Sequence, residues 1–206
     1  MSPDAWLTLA VVWMAAVATP GPNVAFTVAT GLATPRPAAF LAAVGIGLGG
    51  IVYAVLALSG LGALLYASPT AFAAVRWLGV AYLVWLGLRA LRPPTAPSAI
   101  RPARTPTQGR RLVAQGFAVM MANPKAVLAV GAILPPFLDP DRPALLQVTI
   151  MAATICAGSI LVHCGYIAAA GRLAAWRPFT ARPRLMRTLA GLVYLAAAAA
   201  LAAVGV

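Results

Sequence analysis

The sequence predicts an all-α integral membrane protein: six transmembrane helices arranged as two inverted three-helix repeats, with helices 1 and 4 broken at proline motifs. Three observations predict it. Hydrophobic residues make up 62% of the chain and charged residues only 9%, against roughly 25% charged in a soluble domain. Six apolar stretches are each long enough to cross a membrane, which takes about 20 residues. Two of them carry proline breaks at corresponding places.

The stretches run 5–33, 38–66, 70–91, 112–137, 144–170 and 186–206, bounded by Gly, Pro and Arg clusters. The first is read as a span and not as a secretory leader, because Asp4 stands where a leader carries basic residues. Residues 1–91 form the first repeat, 92–111 a cytoplasmic Pro/Arg-rich linker, and 112–206 the second repeat. The linker, from Pro93 to Thr107, is expected to be extended and to touch anionic lipid.

Orientation follows from the arginines. Twelve lie in the connections of one side, from Arg36 through the Arg89–Arg111 group to the Arg172–Arg187 group, whereas only Arg76 and Arg142 lie on the other. For a protein read as lying in the bacterial inner membrane, the positive-inside rule then places both termini in the periplasm. The net charge of +12 is thus confined to connections, without a basic helix face or interleaved aromatics, and nucleic acid is excluded as a partner.

The repeat is visible in two further matches. Gly79, Tyr82 and Leu83 recur as Gly191, Tyr194 and Leu195, and Arg36-Pro37-Ala38 recurs as Arg142-Pro143-Ala144. With three spans per half, the second half must cross in the opposite sense, an architecture common among transporters. Within span one stands Pro20-Gly21-Pro22-Asn23, and within span four Asn123-Pro124-Lys125. Proline deletes a helix hydrogen bond at a cost of about 3 kcal/mol, and lipid tolerates a broken helix only where protein or water receives the freed groups. Paired breaks therefore point to a central site built from Pro20, Gly21, Pro22, Asn23, Asn123, Pro124 and Lys125.

Lys125 falls about a dozen residues into its span, too deep to snorkel out. A mid-membrane ammonium costs about 2.5–3.5 kcal/mol on insertion scales. The acids, Asp4, Asp139 and Asp141, all lie near span ends or in connections. A substrate carboxylate can supply the missing partner. The alternatives are carbonyls freed at the breaks, or a lysine that carries a proton. Asn23 and Asn123 are each expected to cap a half-helix start. His163, the single histidine, is the second proton-coupling candidate, read first as a packing residue. Gly45 and Gly49 are expected to let helices approach closely.

Cys156 and Cys164 share one span, about 12 Å apart along a helix axis, so they cannot pair within the chain. That counts against the alternative of an intramembrane thiol-disulfide protein, which needs a close redox pair. A metal-handling protein would need carboxylates or several histidines in the membrane. No cofactor, no metal and no enzyme activity are expected.

At its motifs the chain resembles the lysine exporter (LysE) superfamily and, within it, the homoserine/threonine-exporter (RhtB) type. The residues that carry the resemblance are Pro20-Gly21-Pro22-Asn23, Gly45-Ile46-Gly47 with Gly49, Gly79 with Tyr82-Leu83, Asn123-Pro124-Lys125, and Pro135 with Phe137. Pro136 stands where the family often has Gln, and Asn23 takes the option without a titratable proton. The resemblance implies six spans, export of amino acids or related metabolites driven by the proton gradient, and a homodimer in the lipid bilayer.

Overall fold

A computed structural model describes residues 1–59, 68–92, 106–139, 141–176 and 183–203. Among them are eight α-helices and no strand: α1 (Pro3–Ala18), α2 (Pro22–Ala33), α3 (Arg36–Leu58), α4 (Pro69–Leu91), α5 (Pro106–Met121), α6 (Pro124–Ile133), α7 (Ala144–Ala175) and α8 (Pro183–Ala202). A short 3-10 turn, Pro135–Phe137, follows α6. The expected linker residues 93–105, with Arg101 and Arg104, lie outside the described residues, as do Gly60, Gly62, Arg177 and Arg182.

Proline sets most of the helix starts. Pro3, Pro22, Pro37 and Pro124 each occupy the first turn of a helix, where the missing N–H is no loss and the fixed φ favours the helix. The two sequence breaks are therefore true interruptions of the helix, and not kinks. α1 and α2 meet at 66°, and α5 and the α6 segment at 67°.

α3 and α7 are each long and apolar enough to cross a membrane, and each bent pair passes the same test if taken as one span. α4 and α8, with 23 and 20 residues, are about 34 and 30 Å long at 1.5 Å per residue. α3 packs on α5 and α7, α4 on α8, and α2 on both α7 and α8.

The distribution of polarity is that of a protein in lipid. Leu145, Leu78 and Leu161 are 80%, 66% and 65% exposed, while Thr27, Asn123, Gln147, Ser159 and His163 are buried. Water would reverse that arrangement; lipid favours it, because lipid cannot satisfy polar groups.

Two glycines make the central crossing possible. A Cβ at Gly45 would collide with the Val113 carbonyl on α5, and a Cβ at Gly116 with the Ala42 carbonyl on α3. Gly49 likewise gives room to Met120. The α3–α5 backbones thus touch through reciprocal glycines, as small residues in membrane helices permit.

Candidate functional site

The two breaks meet at the centre, and they are built differently. Asn123 is the N-cap of α6: its Oδ1 accepts from the Lys125 N–H at 3.1 Å. Its Nδ2 donates to Asn23 Oδ1 at 2.9 Å. Asn23 departs from the capping role expected of it. The N-cap of α2 is Gly21, no side chain caps that helix, and the Asn23 amide instead donates to Met120 Sδ at 3.1 Å. Pro22 at the first position of α2 places Asn23 one residue into the helix, where its side chain turns toward the second break.

Lys125 follows the cap residue by two positions, so α6 aims its side chain across the gap at the first break. Its Nζ donates to the carbonyls of Thr19 at 2.9 Å and Pro20 at 3.3 Å, and closely to Thr19 Oγ1. Thr19 Oγ1 also donates to Ala16 O at 2.6 Å, and Tyr166 donates to Ala18 O at 2.6 Å. Two of the carbonyls left over at the end of α1, those of Ala16 and Ala18, are thereby satisfied, and the cation sits just beyond the negative end of that helix. Gly21 makes room for the lysine stem, since a Cβ there would stand 3.3 Å from Lys125 Cδ. All partners of the ammonium are neutral oxygens, and among the described residues no carboxylate reaches it.

The ends meeting here have opposite polarity. The Ala16 and Ala18 carbonyls of α1 are occupied, whereas the first turn of α2 has no side-chain cap and begins at Gly21 beside Lys125, an arrangement that favours an anion. The cavity at the junction, walled by Trp13, Asn23, Met120, Asn123, Lys125 and Ser159, measures about 30 Å³, room for a water or two.

His163 lies in α7 and shares no hydrogen bond with the ammonium. It is fully buried, its Nδ1 is 3.3 Å from Thr27 Oγ1, and its Nε2 has no partner among the described residues. Trp13 Nε1 donates to Ile155 O at 3.1 Å and Ser159 Oγ at 3.3 Å. Sequence reasoning missed Thr19, Trp13, Thr27 and Ser159. Thr19 had a signal, being the polar residue directly before the proline-glycine-proline break; the others look like ordinary helix residues until their neighbours are known. Cys156 and Cys164 are both free and both in α7.

The chain is 37% identical over 139 residues to a homoserine/homoserine lactone efflux protein of Salmonella typhi, covering 68% of this chain and 66% of that one. The match thus spans a little under two thirds of that relative's length. It is 31% identical over 169 residues to an uncharacterized membrane protein of Vibrio cholerae, covering 82% and 80%. It is 29% identical over 200 residues to a leucine efflux protein of Klebsiella pneumoniae, covering 89% and 87%. No solved structure matches the chain. The family model described as LysE type translocator matches residues 14–205, and this membrane protein belongs to that family.

Proposed function

We propose that the protein is a secondary active exporter that moves amino acids or related small zwitterionic or carboxylate metabolites out across the bacterial inner membrane, driven by the proton gradient. The observation that carries this reading is the Lys125 ammonium, held at the junction of two broken helices by neutral oxygens alone. A carboxylate exchanging with those oxygens forms a charge-assisted pair, roughly twice as strong as a neutral hydrogen bond, and the uncapped α2 terminus adds to it. The relatives named for homoserine and leucine efflux support an amino acid as cargo.

The junction has room only for water in this conformation, so cargo enters when the breaks part. Helix pairing supports two inverted repeats as the moving bodies. The pair α1–α2 packs on α7, the pair α5–α6 on α3, α3 meets α7, and α4 meets α8. Exchanging the halves reproduces these pairings. Six spans, periplasmic termini and a homodimer complete the proposal, with Lys125 and His163 as the proton carriers.

The test is efflux from vesicles holding purified protein, with a pH gradient imposed across the membrane. Amino-acid movement that follows the gradient is expected. Movement indifferent to the gradient overturns the coupling, and no movement of any amino acid overturns the exporter reading.

A further inference from the structure

A second, much larger cavity of about 460 Å³ lies on the other side of the first break, between α2 and α8, within the roughly 300–1,000 Å³ of small-molecule sites. We propose that this cavity receives the side chain of the transported amino acid and makes the protein selective for neutral amino acids with branched aliphatic side chains. The proposal rests on the exporter reading above and adds the substrate class.

One end of the cavity is formed by Pro20, Gly21 and Lys125, the same groups that would meet a carboxylate. The walls are Val24 and Val28 of α2 and Val193, Ala197, Ala200 and Leu201 of α8. The α8 residues recur at helical spacing i, i+4, i+7 and i+8 and so share one face. A zwitterion anchored by its carboxylate at Lys125 has an apolar chamber directly beside it. Among the described residues Lys125 is the single ionisable one lining the chamber, so a basic side chain entering it loses its hydration, meets no counter-charge from them, and is repelled by the lysine. A hydroxyl finds no acceptor side chain there either. Each methylene buried tightens binding by about fourfold, which gives tens of fold between alanine and leucine.

The rival occupant is a lipid acyl chain, because Ala196 and Ala200 open the cavity outward. A lipid-filled chamber would leave cargo selectivity independent of its walls. The experiment is counterflow into vesicles containing the full-length protein, with alanine, valine, leucine, phenylalanine, homoserine and lysine as the series. The expected ranking has leucine and valine well ahead of homoserine, and lysine last. Ala197→Leu narrows the chamber and should shift preference toward alanine by about tenfold, with alanine transport retained. Val28→Ala widens it and should admit phenylalanine, and this second variant carries the test if the first fails to fold. Transport that continues with the ranking unchanged in a folded variant overturns the side-chain chamber while leaving the exporter reading standing. Absence of transport for the whole series in the unsubstituted protein overturns both.

Discussion

Asn123 Nδ2 donates to Asn23 Oδ1 at 2.9 Å, tying together two helix breaks that are 100 residues apart in the chain. The same Asn123 caps α6, whereas Asn23 caps nothing. The two residues look equivalent in sequence and are not equivalent in the fold.

Asn123→Ala removes both the bridge and a cap, and Asn23→Ala the bridge and a weak sulfur contact. An interhelical hydrogen bond in a membrane protein is worth about 0.6 kcal/mol, and a cap about 1 kcal/mol. Asn123→Ala should therefore destabilise by about 1.5 kcal/mol and Asn23→Ala by about half that. Unfolding of the purified protein in mixed detergent measures the difference. Equal losses would mean that the cap contributes nothing.

Lys125→Met removes a half-buried charge held by neutral oxygens, so the fold should survive it, since replacing buried charge by apolar volume is often tolerated. Export should fall by about tenfold or more, equivalent to some 1.4 kcal/mol. Lys125→Arg should also impair export, because a planar fork does not replace a compact ammonium. Efflux assays beside melting curves separate the two effects. Full export by the Met variant would remove Lys125 from the site.

Gly45→Leu and Gly116→Leu drive a side chain into the backbone of the facing helix. Neither backbone can yield without separating α3 from α5, so both variants should fail to accumulate as folded protein. Gly165→Ala, with open space around its Cβ position, should fold normally. Size-exclusion profiles of the three variants decide it, and a monodisperse Gly45→Leu protein would contradict the close crossing.

Replacing Cys156 and Cys164 together by alanine should leave export within about twofold, a difference under 0.5 kcal/mol, because both thiols are free and lie two turns apart on one helix. Loss of export at an unchanged protein level would revive a redox role.

In that cysteine-free background, Ser98→Cys should react with an impermeant thiol reagent only when it is added from the cytoplasmic side, and Asp141→Cys only from the periplasmic side. The expectation follows from the twelve-to-two division of arginines. The reverse labelling pattern would invert the topology.

The sequence by itself determined where the helices begin and break. Proline acts on its own backbone and on the turn before it, so Pro20, Pro22 and Pro124 announce the two breaks without reference to any neighbour. The depth of Lys125 and the lack of a nearby acid were legible for the same reason, being properties of position along one span. Only the tertiary structure decided who meets whom. Asn23 forgoes capping for Asn123, Lys125 crosses to Thr19 and Pro20, and Thr27 reaches His163. Those partners are separated by 100 to 136 residues. Their meeting depends on helices crossing closely enough for a side chain to span the gap. That closeness comes from the glycines of the helix contacts, whose facing backbones no local pattern reveals.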